Sequence, residues 1–334
     1  MGTPVDPVPR AVRDALAGAS DAPGYPATHG TPRLREAAAG WLARRHGVQV
    51  DPAAILPVIG TKEFIAGLPA LLGCGPGDSV MHPELAYPTY DIGARLAGAS
   101  PVTADIGGEP ELPPSLRLAW VNSPSNPTGR VLAAERLRAA VVAARAVGAV
   151  LASDECYIEL GWSARPVSVL HPEVSGGSAR GLLAVHSLSK RSNMAGYRAG
   201  FVTGDPELIA ELLEIRKHAG LMMPAPVQAA MVAALDDDNH AGQQQARYAA
   251  RRDRLRAALT GAGWAIEHSE AGLYLWATRP GDDCWGSVQV LAGGGILVAP
   301  GEFFGPAGRH HIRVALTVTD ERADAAVARL AALP

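Results

Sequence analysis

Short runs of consecutive apolar residues alternate with longer segments of helical periodicity over the first two thirds of the chain. The apolar runs predict strands at 53–60, 78–83, 100–106, 118–123, 149–155, 182–187 and 199–204. Most of these runs lack polar and apolar alternation, which indicates strands buried on both faces. Buried strands separated by helices predict an α/β fold with a mostly parallel sheet.

The segments between these strands predict helices at 31–46, 61–73, 90–98, 133–148 and 206–220. The first helix carries its own end signals. Thr31 can accept a hydrogen bond from the first turn, Pro32 suits the first helical position, and Gly47 suits the C-terminal turn. The sequence therefore predicts both ends of this helix.

The pattern of apolar positions changes near residue 225. A helical stretch interrupted at 236–240 is followed by predicted strands at 264–269, 273–279, 295–300 and 310–318, with helices at 282–292 and from 319 onward. This order indicates a smaller α+β domain. We therefore divide the chain into a contact segment at 1–30, a large domain at 31–224, and a linking helix with a small domain at 225–334.

Composition adds the expectation of a cytoplasmic, enzyme-sized protein. The 334 residues suffice for a large core, and 48% hydrophobic with 19% charged residues excludes a disordered chain. A net charge of −3 gives no indication of a nucleic-acid or membrane partner. The three cysteines lack metal-binding spacing and indicate free thiols in a reducing compartment, and no apolar run approaches membrane-spanning length.

Lys190 lies between two apolar runs, in the segment SLSKRSNMAGYR, and is one of three lysines against 27 arginines. A lysine at the exit of a buried strand loses hydration, which lowers its pKa and makes its amine a nucleophile for a carbonyl. Ser187, Ser189 and Arg198 suit a phosphate monoester. A phosphate beside a carbonyl-trapping lysine indicates pyridoxal phosphate. The alternative is an ordinary exposed loop lysine.

This hypothesis requires a phosphate cradle elsewhere in the chain. Thr61 and Lys62 follow Gly60 at a predicted strand-to-helix junction. Backbone N–H groups and the positive end of the helix dipole meet there, as phosphate binding needs. An ordinary capped turn is the alternative reading.

The cofactor ring requires polar partners and a flat neighbour. Asp154 ends a predicted strand and can keep the pyridine nitrogen protonated, so that the ring takes up electrons. Asn126 and Tyr157 can donate to the phenolic oxygen. Tyr87 can stack on the ring. Each residue alone is equally explained by a turn, a cap or core packing.

Arg313 lies in the predicted strand HHIRVALTV, which is otherwise apolar apart from its two histidines. A guanidinium in such a strand requires an anion, and a bidentate clamp on a substrate carboxylate meets that requirement. A structural ion pair is the alternative. The neighbouring His310 and His311 point to opposite faces of a strand, so we predict no metal site there.

Together these segments resemble the class I and II aminotransferases of fold type I. The motifs occur in the expected order along essentially the whole chain: GYPATHGTPRLR, GTKE, YPTY, SPSNPTG, SDECYIEL, SLSKRSNMAGYRAG and HHIRVAL. The resemblance implies a pyridoxal phosphate-dependent transferase fold, with a large domain around a mostly parallel sheet and a small α+β domain. It also implies a homodimer with shared active sites.

The resemblance implies a role for each matching residue. Lys190 corresponds to the lysine that bonds the cofactor aldehyde, and Asp154 to the partner of the pyridine nitrogen. The remaining cofactor positions are Thr61, Lys62, Tyr87, Asn126, Tyr157, Ser187, Ser189 and Arg198, with Tyr25 reaching the phosphate of the neighbouring subunit. Arg313, Gly2 and Asn126 correspond to substrate-binding residues.

Within this family, SLSKRSN and GTPVDPVP resemble the actinobacterial succinyldiaminopimelate aminotransferases. That resemblance implies glutamate as amino donor and N-succinyl-2-amino-6-ketopimelate as acceptor, in lysine biosynthesis. Arg33, Arg165 and Arg191 are candidates for the distal carboxylate. Family members carry a further segment before the GTPVDPVP loop, so a late start or a truncated chain is expected.

Two rival functions remain open at this point. A lyase or decarboxylase could use the same cofactor site, because the outcome depends on which bond of the substrate Cα lies perpendicular to the ring. A regulator without enzymatic activity would require a DNA-binding module for which there is no spare length. The basic segment 249–259 is expected to be a solvent-facing helix rather than such a module.

Overall fold

The computed structural model describes residues 2–108 and 110–333, which contain a seven-stranded sheet and a four-stranded sheet. The seven strands are β1 (Ile55–Ile59), β2 (Ser79–His82), β3 (Ser100–Thr103), β4 (Leu116–Asn122), β5 (Val150–Asp154), β6 (Leu182–Ser187) and β7 (Ala199–Gly204). The four strands are β8 (Ala265–Glu267), β9 (Tyr274–Thr278), β10 (Ala299–Pro300) and β11 (His311–Ala315).

Helices connect and cover these strands. In chain order they are α1 (Arg10–Gly18), α2 (Pro32–His46), α3 (Thr61–Leu71), α4 (Thr89–Leu96), α5 (Ala134–Ala146), α6 (Pro172–Ser175), α7 (Leu188–Arg191), α8 (Pro206–His218), α9 (Ala225–Asp236), α10 (Asp238–Gly261), α11 (Cys284–Gly293) and α12 (Asp320–Leu330). Across residues 2–108 and 110–333, no helix is both long and apolar enough to cross a membrane.

The seven strands follow the order β1-β7-β6-β5-β4-β2-β3, and only β7 runs antiparallel to its neighbours. The prediction of a mostly parallel, buried sheet is therefore confirmed. Core strands β2, β5 and β6 are buried along almost their whole length, because helices cover both faces of the sheet. The carboxyl ends of β1, β4, β5 and β6 consequently meet along one edge.

The end signals predicted for α2 are observed. The Thr31 side chain accepts a hydrogen bond from the Leu34 N–H at 3.2 Å, and Pro32 is the first helical residue. Gly47 has φ of +65°, a left-handed conformation that glycine adopts without strain. The local end signals therefore fixed the length of this helix.

Two of the predicted six-residue strands are reduced to two or three residues in the structure. In the 295–300 segment only Ala299 and Pro300 pair, because the Ile296 N–H donates to Leu291 O and completes the end of α11. In the 264–269 segment, His268 and Ser269 have φ of +54° and +62°, so the chain turns away after β8. Helix α1, which the sequence did not indicate, packs against α9 and buries Val12.

The expectation that the basic segment 249–259 faces solvent is wrong for two of its arginines. Arg251 and Arg252 lie within α10 and are buried. Arg252 Nη2 donates to Ser269 O at 2.9 Å, and Arg251 pairs with Asp6 at 2.7 Å. Periodicity could not reveal this, since both partners are distant in sequence.

Candidate active site

A cavity of about 560 Å³ opens at the edge where β1, β4, β5 and β6 end. Every residue predicted for catalysis, the cofactor or the substrate carboxylate next to the reacting carbon lines it, except Tyr25. The lining residues are Gly2, Thr3, Thr61, Lys62, Ile65, Tyr87, Asn126, Asp154, Cys156, Tyr157, Ser187, Ser189, Lys190, Ala195, Gly196, Arg198, Tyr274 and Arg313. The fold thus brings together groups that are as much as 311 positions apart, from Gly2 to Arg313.

Lys190 lies in the single turn α7, directly after β6. The Ser187 side chain begins this turn by accepting from the Ser189 N–H at 3.1 Å. Burial lowers the pKa of Lys190 to about 8, and the nearby cations Arg313 and Arg198 act in the same direction. The Lys190 amine donates to Gly2 O at 2.6 Å. A large fraction of this amine is therefore unprotonated at mildly basic pH, as a nucleophile or base requires.

Asp154 is buried at the end of β5. Its two carboxylate oxygens accept from the Tyr90 hydroxyl at 2.7 Å and from the Cys156 N–H at 3.1 Å. Burial raises the pKa of Asp154, although both hydrogen bonds oppose the rise. No described residue pairs a cation with this carboxylate. A cationic ring N–H within the cavity would provide the missing charge partner.

The end of the cavity that is predicted to bind phosphate combines a helix N-terminus with Arg198. Helix α3 starts at Thr61, so its first N–H groups have no partner within the helix. A Cβ added to Gly60 would lie 2.2 Å from Arg198 Nη2. Only glycine therefore lets the guanidinium lie against the start of α3. Arg198 itself has φ of +55°, and its Nη1 donates to Ala195 O at 2.9 Å.

The groups predicted for the phenolic oxygen lie on the opposite wall. Asn126 Oδ1 accepts from Arg313 Nη1 at 2.7 Å, which leaves the amide NH₂ to serve as the donor. The hydroxyls of Tyr157 and Tyr274 lie 3.2 Å apart and share a hydrogen bond. Tyr87 also lines the cavity, with the Lys62 amine 5.8 Å from its ring centroid. Amine, carboxylate, phosphate cradle and ring donors are thus all present, and they fit pyridoxal phosphate.

Arg313 is held between two aromatic rings. Its guanidinium carbon lies 4.0 Å from the ring centroid of Tyr274 and 4.4 Å from that of Phe304. Within residues 2–108 and 110–333, no carboxylate pairs with it, and its Nε is buried without a hydrogen-bond partner. The alternative of a structural ion pair is therefore not observed. The stacking holds the guanidinium with its N–H groups toward the cavity, where a carboxylate can accept hydrogen bonds from them.

Four predicted residues lie away from this cavity. Tyr25 is 95% exposed, and its predicted reach into a neighbouring subunit stays a prediction. Arg33 pairs with Asp236, and Arg191 forms a buried pair with Glu159. Arg165 lines a separate cavity of about 210 Å³. The three arginines therefore do not line the main cavity, and their contact with a distal carboxylate stays a prediction.

Sequence reasoning missed several lining residues, chief among them Tyr274 and Cys156. The Tyr274 ring stacks on Arg313 from β9, which pairs with β11. The Cys156 thiol donates to Thr61 Oγ1 at 3.3 Å. The sequence carries no signal for Tyr274, because its contact with Arg313 depends on the pairing of β9 with β11, which α11 and β10 separate along the chain.

The family model of aminotransferase class I and II matches residues 2–330. The chain belongs to the class I and II aminotransferases. These enzymes depend on pyridoxal phosphate, so the cofactor and the fold predicted from the motifs are confirmed.

Two curated proteins are similar to this aminotransferase along almost its whole length. The 4-dedimethylamino-4-oxo-anhydrotetracycline transaminase of Streptomyces rimosus is 63% identical over 334 residues, which covers 99% of this chain and 91% of that protein. A probable aminotransferase of Mycobacterium tuberculosis is 62% identical over 331 residues, which covers 99% and 79%.

A solved structure of a probable N-succinyldiaminopimelate aminotransferase from Thermus thermophilus is also similar. It superposes with a TM-score of 0.90 at 30% identity, covering 99% of this chain and 92% of that one. The aminotransferase fold seen here is thus shared with enzymes that bear different substrate names.

A buried acid and histidine lie directly behind the cavity of this aminotransferase. Glu155 Oε2 is 3.6 Å from His186 Nε2, and both side chains are almost fully buried. Burial raises the pKa of Glu155 to about 7 and lowers that of His186 well below its ordinary range. The pair is therefore neutral at mildly acidic pH, with its proton on Glu155.

Replacing Glu155 by glutamine should change the pH dependence of stability. The folded-state pKa of Glu155 lies above its ordinary value of 4.5, so its contribution to stability is lost as pH rises toward 7. The Glu155→Gln variant lacks this ionisable group and therefore does not lose this stability. The free energy of unfolding of the variant minus that of wild type should rise by about 2.5 kcal/mol between pH 5 and pH 8. Urea unfolding of the holoenzyme at both pH values measures this difference.

The matched control is Glu211→Gln, on the exposed surface of α8. This variant should show a constant difference from wild type over the same pH range. A difference that is equally constant for Glu155→Gln would mean that Glu155 is already ionised at pH 5 in the folded protein.

Proposed function

We propose that this enzyme transfers the amino group of glutamate to a 2-oxo acid, with N-succinyl-2-amino-6-ketopimelate as the acceptor. The observation that carries the proposal is the Arg313 guanidinium, which lies in the same cavity as Lys190 and has no carboxylate partner among the described residues. Amino acids and 2-oxo acids both present a carboxylate next to the reacting carbon. One arginine can therefore hold the donor and the acceptor in turn.

The side chains divide the chemistry between them. When bound, pyridoxal phosphate supplies an electron-accepting ring for the substrate Cα. Lys190 would act as the base that removes the proton from the substrate Cα. At pH 8 about half of its amine is unprotonated. Asp154 holds a proton on the ring nitrogen, while Arg313 fixes the substrate carboxylate so that the Cα–H bond faces Lys190.

The remaining cofactor contacts follow the positions of the lining residues. We assign the phosphate to Thr61, Ser187, Ser189 and Arg198, with Lys62 beside them. Asn126 and Tyr157 donate to the phenolic oxygen, and Tyr87 covers the ring. The exposure of Tyr25 is consistent with a contact across a homodimer interface. We place this dimer in the cytoplasm, with 31–224 as the large domain and 225–334 as the small one.

A second acceptor is supported by a different observation. The 63% identity to a transaminase named for an oxo-anhydrotetracycline favours a fused-ring ketone as the amino-group acceptor. The structural similarity to a probable N-succinyldiaminopimelate aminotransferase favours the acylated 2-oxo acid. The two acceptors differ in that the fused-ring ketone has no carboxylate beside its carbonyl.

Absorbance of the cofactor-loaded enzyme tests this function. Glutamate should bleach the visible band of the bound cofactor, and a true acceptor should restore it. The acceptor panel contains 2-oxoglutarate, N-succinyl-2-amino-6-ketopimelate, and a 4-oxo-anhydrotetracycline. Restoration by the acylated acid at low concentration supports the proposal, and restoration by the tetracycline alone supports the second acceptor. A band unchanged by glutamate would refute glutamate as donor and favour a lyase.

Arg313→Gln separates the two acceptors by their dependence on a carboxylate. The variant should raise KM about 100-fold for glutamate and for any 2-oxo acid, since it removes a charge-assisted pair. The reaction of the aminated enzyme with a fused-ring ketone should change little. The control is Arg309→Gln, because Arg309 is exposed and lies just before β11 in the chain. This variant should leave both reactions unchanged.

A further inference from the structure

The first residues of the chain lie across the cavity. We name residues 2–9, which precede α1, the N-terminal strap. Gly2 O accepts from the Lys190 amine at 2.6 Å. A Cβ added to Gly2 would lie 2.0 Å from the Tyr274 hydroxyl oxygen, so the strap packs closely against the hydroxyl end of that side chain. Its beginning therefore contacts two residues of the site.

A buried ion pair anchors the strap at Asp6. The two Asp6 carboxylate oxygens each accept from Arg251 at 2.7 Å, and one also accepts from Gln244 Nε2 at 2.8 Å. The Asp6 side chain is 10% exposed and that of Arg251 is 2% exposed. Burial alone would raise the pKa of Asp6, but the hydrogen bonds from Arg251 and Gln244 lower it. The carboxylate is thus fixed in its charged form.

The same anchor is joined to the loop that carries Lys190. Asn193 Nδ2 donates to Pro7 O at 3.2 Å and to Gln244 Oε1 at 3.0 Å. Asn193 follows Lys190 by three positions and has φ of +54°, which turns its side chain into this network. Strap, lysine loop and α10 therefore share one set of hydrogen bonds.

The strap is short and stiff between Asp6 and Gly2. Four residues span at most about 14 Å when extended. Pro4 restricts the backbone within this stretch, and Pro7 restricts that of Asp6 before it, which reduces the number of other conformations that the strap can adopt. A fixed position of Asp6 therefore limits where Gly2 can lie.

We propose that Asp6 is a positioning residue for catalysis: its clamp by Arg251 and Gln244 holds the N-terminal strap over the cavity, so that Gly2 forms the wall against which substrate is bound. This inference rests on the proposed function. Asp6 touches neither cofactor nor substrate, and it acts only through the strap. Loss of the clamp leaves the residues of the cavity in place but frees one of its walls.

Arg251 offers a matched pair of variants. Its guanidinium also donates to Asp320 at 2.9 Å, and the Asp320 side chain is 61% exposed and belongs to α12. Asp6→Asn and Asp320→Asn each remove one charge from the same arginine. Only Asp6→Asn breaks the ion pair between Arg251 and the N-terminal strap.

The test measures hydrogen exchange and steady-state kinetics on the cofactor-loaded enzymes. Asp6→Asn should speed amide exchange in residues 2–8 by about tenfold and raise KM for glutamate by about tenfold, with a smaller change in kcat. Asp320→Asn should leave both within about twofold. Melting temperatures of the two variants report the purely structural effect, which alone would not change KM.

Gln244→Met provides a second route if Asp6→Asn fails to fold. It removes one hydrogen bond to the same carboxylate and the one that Gln244 accepts from Asn193, and it keeps the Arg251 pair, so exchange and KM should rise about threefold. Unchanged exchange in the strap, or an equal rise of KM in Asp320→Asn, would overturn the inference. If wild type does not react with glutamate, the proposed function fails, while the exchange of residues 2–8 still tests the clamp.

Discussion

Replacing Lys190 by alanine is expected to lower the rate of glutamate-dependent amino transfer by about 10⁴-fold or more. Within residues 2–108 and 110–333, the only other lysine that lines the cavity is Lys62, which extends from the start of α3 toward Tyr87. No further lysine of the described residues lines the cavity to take over the roles of Lys190. Rates with saturating glutamate and acceptor measure the loss. The absorbance band characteristic of the lysine-bound cofactor should also disappear.

Two comparisons give this result its meaning. Lys217→Ala removes an exposed lysine that pairs with Glu214, and it should keep full activity and the absorbance band. Adding methylamine to Lys190→Ala should restore part of the rate, because a small amine can enter the space left by the side chain and act as the base. Activity above a tenth of wild type without added amine would contradict the assignment of Lys190.

Replacing Asp154 by asparagine is expected to lower kcat by about 10³-fold, because the buried charge that keeps the ring nitrogen protonated is lost. Asparagine is of similar size and retains an oxygen that can accept from Tyr90, so the cavity should keep its shape. The variant should still bind pyridoxal phosphate. Steady-state rates measure kcat, and fluorescence titration measures the affinity for the cofactor.

The comparison variant is Tyr90→Phe, which removes the 2.7 Å hydrogen bond to Asp154 and leaves the carboxylate charged. Its effect on kcat should be about tenfold, in keeping with the loss of one hydrogen bond to a charged group. If Asp154→Asn were no slower than Tyr90→Phe, the charge of Asp154 would not be the source of catalysis.

The strand ends explain why most of the site was predictable. Asp154, Asn126 and Lys190 each follow a buried apolar run, and parallel strands bring their carboxyl ends to one edge. Once the runs are recognised as strands, these residues must lie near one another. The motifs then assign their chemistry.

The features that escaped prediction depend on contacts between distant segments. The sequence does not show that Asp6 meets Arg251, or that Gly2 reaches Lys190 across 188 positions. A basic helix with two buried arginines cannot be distinguished by its sequence from a basic helix that faces solvent. Tyr274 illustrates the same point, because its role follows from the pairing of β9 with β11.

Gly60 has a consequence for how this enzyme can be diversified. Its φ of +76° excludes other residues whatever lies nearby, and Arg198 already occupies the place of a Cβ. A change at Arg198 would clear the space but would leave the backbone conformation, so a substitution at Arg198 alone does not compensate for the replacement of Gly60. Variants with an altered substrate range are therefore better sought elsewhere in the cavity lining, for example at the exposed Thr3.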